Sequence, residues 1–190
     1  MIKNKLLFYI LMLGLISCQP ISNINNVLID YDQLPKIKVL ARNQQTLSLY
    51  MQNFNDPYID HSLLHPPKFF LDQWLAKNLD FIGNENEFMI KIIDGSLKKS
   101  EIINTSKKKY QDKKIFLYET SFLVEFILYD DSGIILGSSL VESSRSTTSS
   151  MYISLNQTEN IIEQLIYKNL IDFSRKANEL LTLHINNYIL

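Results

Sequence analysis

Cysteine, glycine and proline are scarce in this chain of 190 residues, which contains one, five and five of them. The single cysteine, Cys18, has no second thiol with which to form a disulfide. A lone catalytic cysteine needs partner side chains from a folded domain, and Cys18 lies in an apolar amino-terminal region without them. The glycines are scattered along the chain, which argues against a glycine-rich phosphate loop. These shortages exclude disulfide scaffolds and make thiol or nucleotide chemistry a poor interpretation.

An excess of charge of one sign is also lacking, since 19 basic and 20 acidic residues give a net charge of −1. This balance argues against nucleic acid as a partner and against electrostatic docking on anionic lipid. The amino-terminal apolar run, residues 6–16, is shorter than the roughly twenty residues needed to span a bilayer. The sequence therefore predicts neither a nucleic-acid-binding protein nor a membrane-spanning helix at residues 6–16.

The amino terminus has the pattern of a secretory signal peptide. Lys3 and Lys5 precede the apolar run 6–16, and small residues follow it up to Cys18. The alternative is a buried helix of the folded domain. The extreme position, the two lysines and the polar stretch 19–26 argue against that alternative.

The residues Leu15-Ile16-Ser17-Cys18 resemble a bacterial lipobox. That resemblance implies lipidation of the Cys18 thiol, cleavage before Cys18 and acylation of the new amino terminus. We expect a signal peptide at 1–17, the lipidated cysteine with a flexible tether at 18–30, and a single α+β periplasmic domain at 31–190. Several acyl chains together anchor a protein firmly. Gln19 after the cysteine implies the outer membrane, facing the periplasm.

Hydrophobic periodicity in the first half of the domain predicts strands on both sides of one helix. The helix begins at the paired prolines, and Gly83 is expected to end it. The strand that follows it is expected to continue to Ile103 after a break at Asp94-Gly95. The predicted elements are strands at Ile37–Ala41 and Leu47–Met51, a loop at 53–67, a helix at Pro67–Ile82 and a strand at Glu87–Asp94.

The second half predicts a long hairpin followed by a long helix. Alternating apolar residues mark a strand at Ile115–Tyr129, and Asp130–Gly133 has the composition of a tight turn. The return strand is expected at Ile134–Glu142, with 143–150 as an edge-strand tail that runs into a mobile loop. The closing helix is expected at about Asn156–Tyr188, with Ser154 or Asn156 as its cap.

Together these elements predict an α+β fold. Its centre is an antiparallel sheet of about four strands that includes the long hairpin. Two helices are expected to cover one face of this sheet, packed on Phe116, Phe122 and Phe126.

Candidate metal ligands occur in one loop, at Asp56, Asp60, His61 and His65. A zinc site needs three or four converging ligands, and this spacing matches no familiar metal motif, so these residues are weak candidates. No Gly-x-Ser-x-Gly turn is present, and His184 is better explained as a packing residue. The sequence therefore predicts a protein that is not an enzyme and has no cofactor.

Two basic regions are candidate partner contacts. Lys107, Lys108 and Lys109 lie in a basic turn, and Arg145 lies in a hydroxyl-rich run that could bind a phosphate or a sugar. The alternative interpretations are a solvated loop tip for the lysines and an edge-strand tail for the run around Arg145.

Several short motifs resemble known envelope lipoproteins. Asp56-Pro57-Tyr58-Ile59-Asp60-His61, Pro66-Pro67, Trp74 and the closing helix resemble an uncharacterised lipoprotein group of alphaproteobacteria. The order of elements is more distantly similar to the auxiliary lipoproteins of ABC-type transport systems and to the lipoprotein partner in lipopolysaccharide assembly. The resemblance implies an envelope location and brings no catalytic residues.

The expected function is that of a lipid-anchored, periplasm-facing, non-catalytic binding or accessory protein. Its partners would be the membrane, through the lipid, and an envelope protein, with no nucleic acid. A first alternative is a lipid- or lipopolysaccharide-handling accessory of a transport machine, which a closed apolar cavity between sheet and helices would indicate. A second alternative is a hydrolase or metal site at the loop that carries His61 and His65.

Overall fold

The computed structural model describes residues 29–105 and 112–190. In this part of the chain six strands and two α-helices follow one another. They are β1 (Ile37–Val39), β2 (Asn43–Ser48), α1 (Pro67–Asn78), β3 (Leu79–Phe81), β4 (Glu87–Ile103), β5 (Lys114–Tyr129), β6 (Ile135–Ser150) and α2 (Leu155–His184).

The long hairpin between β5 and β6 is present, as predicted. The Asp130 carboxylate oxygen Oδ1 accepts hydrogen bonds from the backbone N–H of Ser132, at 2.9 Å, and of Ile134, at 2.7 Å. Gly133 has a φ of +84°, a value that glycine adopts without steric cost. The turn residues predicted from the sequence, Asp130 and Gly133, therefore form the observed turn.

The return strand is longer than predicted. β6 runs through Ser150, which pairs with Ile115, so the predicted edge-strand tail at 143–150 is present and the loop expected there is wrong. The small hydroxyl side chains suit both sides of this edge strand. Ser144, Ser146 and Thr148 are exposed, whereas the buried Ser143 hydroxyl donates to Asn169 of α2.

The main sheet has the order β2-β4-β5-β6 and confirms the α+β class. β4, β5 and β6 are antiparallel, but β2 runs parallel to β4, so the sheet is mixed rather than purely antiparallel. The predicted break in β4 is a bulge between Ile92 and Asp94, and β4 continues to Ile103.

Two predicted boundaries in the first half are wrong. The strand expected at Leu47–Met51 is β2, which starts four residues earlier and has all six side chains exposed. The helix expected at Pro67–Ile82 ends at Asn78, because β3 leaves it to pair in parallel with β1. Gly83 therefore does not cap the helix. A Cβ atom there would lie 2.6 Å from the backbone nitrogen of Ala41, so only glycine fits this close approach.

The closing helix begins as the sequence indicates. The Ser154 hydroxyl accepts from the backbone N–H of Gln157 at 3.3 Å, and the Gln157 side chain accepts from the backbone N–H of Ser154 at 3.0 Å. The helix ends at His184, four residues earlier than expected, and a 3₁₀ turn at Asn186–Tyr188 follows.

The residues after α2 pack back onto β1. The backbone N–H of Leu40 donates to the Tyr188 carbonyl at 2.8 Å, and that of Leu190 donates to the Lys38 carbonyl at 3.0 Å. Together with β3, these residues enclose β1 from both sides.

Both helices cover the predicted aromatic face of the sheet. The ring of Phe173 in α2 lies 5.4 Å from that of Trp74 in α1 and 5.8 Å from that of Phe122 in β5. All three side chains are fully buried. Interlocked aromatic rings thus fill the contact between sheet and helices.

Candidate functional site

A groove lies between the two helices, and we call it the interhelical groove. It has a volume of about 530 Å³ and an open side. Its walls are α1, the first turns of α2, the loop before α1 and the segment that leads into the domain. The lining residues are Ile29, Tyr31, Ser62, Leu63, Leu64, His65, Phe69, Phe70, Gln73, Lys77, Glu159, Ile162, Glu163 and Ile166.

Aromatic rings at the start of α1 form one end of the interhelical groove. The His65 and Phe69 rings lie 4.6 Å apart, and the Phe69 and Phe70 rings lie 5.5 Å apart. Pro67 occupies the first helical position, where proline needs no hydrogen-bond partner, so the helix that carries Phe69 and Phe70 begins there. Leu64 is 89% exposed and Phe69 is 39% exposed, so this end presents apolar surface to solvent.

Tyr31 and Lys77 form the other end. The Lys77 ammonium lies 4.5 Å from the centre of the Tyr31 ring, within the range of a cation–π contact. Burial raises the pKa of the Tyr31 hydroxyl to about 12, so this group stays neutral at physiological pH. The charged side chains of the groove lining include Lys77, Glu159 and Glu163, which form a rim around an apolar floor.

Asn78 fixes the path by which the chain enters the domain. Its buried side-chain amide donates to the carbonyls of Tyr31 at 2.8 Å, Leu34 at 3.2 Å and Pro35 at 3.3 Å. One residue at the end of α1 thereby holds the segment 31–35 beside the groove. Apolar periodicity does not reveal this role, because Asn78 falls outside the apolar positions of the predicted helix.

The predicted metal candidates do not converge. Asp60 is fully buried and accepts a hydrogen bond from the Tyr50 hydroxyl at 2.7 Å. His61 packs against the Phe54 ring at 5.3 Å, whereas His65 packs in the interhelical groove. Across residues 29–105 and 112–190, no three histidine, cysteine, aspartate or glutamate side chains are placed to hold a metal ion.

The Tyr50–Asp60 pair has a structural explanation. Burial, and then the hydrogen bond to Asp60, raise the pKa of the Tyr50 hydroxyl above its usual range, so it stays a donor. Backbone bonds continue this attachment, since the N–H of Ile59 donates to the Leu97 carbonyl and that of Lys99 donates to the Pro57 carbonyl. The loop that carries Asp56 and His61 is therefore fastened along the edge of β4.

Arg145 lies on the helix side of β6, where its guanidinium pairs with the Asp172 carboxylate of α2. The hydrogen bond from Arg145 is the main cause that lowers the pKa of Asp172, and it raises the pKa of Arg145 itself. The guanidinium thus helps to fasten α2 to the sheet. The other predicted contacts, Lys107, Lys108 and Lys109, lie outside the described residues, as does Cys18.

The hydroxyl-rich run of β6 has two distinct faces. Ser143 and Ser149 are buried, whereas Ser144 and Ser146 face solvent beside Lys98 on the uncovered side of the sheet. His184 is exposed, and its Nδ1 lies 3.2 Å from the Ser139 hydroxyl, so this histidine contacts the edge strand.

Asn169 is a buried polar residue that the sequence interpretation overlooked. It lies within the apolar face of α2, and its side-chain oxygen accepts from the Ser143 hydroxyl at 2.6 Å. Its side-chain nitrogen donates to the carbonyls of Thr120 and Ser143, each at 3.3 Å. The signal available was an asparagine between the apolar residues Ile166 and Leu170.

Comparisons with known proteins give only distant similarity. No family model matches the chain, and no curated protein matches it significantly. Among solved structures, it is similar to a minor lipoprotein from Acinetobacter baumannii, with 9% identity and a TM-score of 0.40, over 79% of this chain and 96% of that one. It is also similar to rare lipoprotein B from Shewanella oneidensis, with 10% identity and a TM-score of 0.36, over 76% and 98% of the two chains. At this distance the similarities assign neither a family nor an activity.

Among the described helices, none is long and apolar enough to cross a membrane.

Proposed function

We propose that this chain is a lipid-anchored envelope protein that faces the periplasm and binds a partner protein without catalysis. The anchor would be Cys18, at the end of the lipobox-like Leu15–Cys18, and Gln19 favours the outer membrane. The observation that carries the binding role is the outer edge of β6. This strand of 16 residues ends the sheet and has no strand on its other side within the described residues.

The edge of β6 is only partly protected against pairing with another chain. Natural edge strands are blunted by lysine, proline, bulges or short length. β6 contains neither lysine nor proline, and its Leu136 and Leu140 are 40% and 55% exposed. Its protection is limited to one bulge near its start and to the Lys176 ammonium of α2, which donates to the Glu142 carbonyl at 2.9 Å. An extended segment of a partner could add to this edge through backbone hydrogen bonds.

A catalytic role has less support. The polar residues buried in the described chain include Asn78, Thr120, Ser143 and Asn169, and each makes hydrogen bonds that hold the fold together. The metal version of the hydrolase alternative needs converging ligands, and the loop candidates Asp60, His61 and His65 lie against separate neighbours. A closed cavity between sheet and helices would favour the lipid-handling alternative, and the aromatic rings described above are packed in that place.

The proposed lipid anchor predicts that one substitution abolishes lipidation of the chain. We expect Cys18→Ala to abolish incorporation of labelled palmitate and to prevent lipid-dependent membrane association, because no other cysteine is present. Metabolic labelling followed by gel analysis measures this. Ser22→Ala, four residues downstream, serves as the control and should label like the wild type. Equal labelling of Cys18→Ala and the wild type would refute the anchor.

The partner prediction concerns β6 and is tested in native membranes. A photo-crosslinking amino acid at Leu140 should capture one envelope protein reproducibly, because this side chain projects from the unpaired edge strand. The same probe at Ser132, in the exposed turn of the hairpin, is the control and should capture little. Identical products from both positions would contradict a docking edge at β6.

A further inference from the structure

The interhelical groove lies where the chain enters the domain. Asn78 holds residues 31–35 against the end of α1, so the direction of entry is fixed. Ile29, the first described residue, already lines the groove. Residues 20–28 therefore attach directly to the mouth of an apolar groove.

The chemistry of residues 20–28 matches the groove. This segment has no charged side chain, so its burial against an apolar floor leaves no ionic group without water. Its larger apolar residues, Ile21, Ile24, Val27 and Leu28, recur at spacings of three and four. A groove of about 530 Å³ falls within the size range of pockets that hold compact ligands.

We propose that residues 20–28 of the same chain dock in the interhelical groove. The apolar side chains of this segment, such as Ile24 and Leu28, match the apolar floor between Tyr31 and Phe69 in chemistry, and its asparagines match the charged rim. The groove is thus an intramolecular site for the tether, and the edge of β6 stays free for a partner.

Docking controls how far the domain reaches from its anchor. The ten residues 19–28 would span up to about 33–36 Å if fully extended. With 20–28 in the groove, most of that length is taken up, and the domain lies close to residue 18. Docking of the tether involves only the interhelical groove, so its test is independent of the proposed partner contact at β6.

The test compares two engineered cysteine pairs in the full-length protein. One pair is Ile24→Cys with Phe69→Cys, which lies in the groove. The other pair is Ile24→Cys with Ala76→Cys. Residue 76 is exposed and lies outside the groove lining. Along α1 it is about 10 Å nearer than residue 69 to the end of the groove at Tyr31. An undocked tether would reach the nearer position 76 at least as fast as position 69.

With docking, we expect a short bis-maleimide to link positions 24 and 69 at least about tenfold faster than positions 24 and 76, through a higher effective concentration. Peptide mass spectrometry identifies the linked residues. Ile21→Asp in the 24/69 background should reduce the rate about tenfold, to an undocked level. Ser22→Asp adds the same charge beside it and should leave the rate nearly unchanged.

Three outcomes would overturn the proposal. Equal rates, or a faster link to position 76, would show an undocked tether. Links that join two molecules and increase with protein concentration would assign the groove to a second copy. A 24/69 rate that rises when bound lipid is removed would assign it to lipid. Single-cysteine variants reveal any unlipidated Cys18, so failure of the anchor is distinguishable from failure of docking.

Discussion

We expect Phe122→Asp to yield no soluble, folded domain. Phe122 is fully buried in β5, and its ring packs against Phe173 of α2 at the centre of the fold. Truncation of a core phenylalanine alone costs about 3–5 kcal/mol. A buried carboxylate without a partner adds a further penalty of several kcal/mol, about the whole stability of an ordinary domain.

The comparison variant for this prediction is Ser121→Asp. The preceding residue along β5 faces the uncovered side of the sheet, where a carboxylate remains hydrated, so its melting temperature should stay near that of the wild type. Circular dichroism and thermal melting measure both variants. A normal melting transition for Phe122→Asp would contradict the core assignment. Phe122→Ala should lower the free energy of unfolding by about 3–5 kcal/mol, which measures the contribution of the same packing contact in a milder variant.

Asn169→Leu should lower the free energy of unfolding by about 2–4 kcal/mol, although it adds an apolar residue to an apolar helix face. The substitution removes the side-chain acceptor of the Ser143 hydroxyl, which leaves only the longer contact to the Asn169 carbonyl at 3.4 Å, and it removes the donor to the carbonyls of Thr120 and Ser143. A buried polar group left without a partner costs about 1–3 kcal/mol. Chemical denaturation measures the change.

Asn178→Leu is the matched control, since residue 178 is exposed on the same helix. Its effect should stay within about 0.5 kcal/mol. Hydrogen exchange gives a second reading, because loss of Asn169 should speed exchange in β6 around Ser143 more than in β4. Unchanged stability of Asn169→Leu would mean that the buried amide contributes nothing to the attachment of α2.

The parts of the fold that sequence predicted best are those with local causes. The hairpin follows from alternating residues in β5 and from Asp130 and Gly133 in the turn. The start of α2 follows from Ser154 and Gln157, which are three residues apart. Each of these signals is complete within a few residues of chain, so no knowledge of distant contacts was needed.

The wrong boundaries have distant causes. Residues 79–81 continue the apolar spacing of α1, and only the pairing with β1, about forty residues earlier, makes them a strand. β2 likewise forms by parallel pairing with β4, which no local pattern specifies. The serine run of β6 resembles a loop in composition and is held as strand by β5 and Asn169.

The candidate site was even less predictable than the fold. The sequence pattern places Phe69 and Phe70 in a helix, but the interhelical groove depends on how α1, α2 and the segment at Tyr31 meet. The charge of Arg145 suggests a partner contact, yet its guanidinium pairs with Asp172, which is 27 residues away in the chain. Side chains that act across elements leave no spacing pattern in the sequence.

The attachment of β1 would have a mechanical consequence if the domain is held by its amino terminus, as we propose. Tension on residue 28 passes first to the carbonyls held by Asn78 and then to β1. That strand is paired on one side with β3 and on the other with residues near Ile189. Fraying from the tethered end would have to break contacts with two distant parts of the chain at once. The load therefore enters the fold where the start, the middle and the end of the domain are joined together.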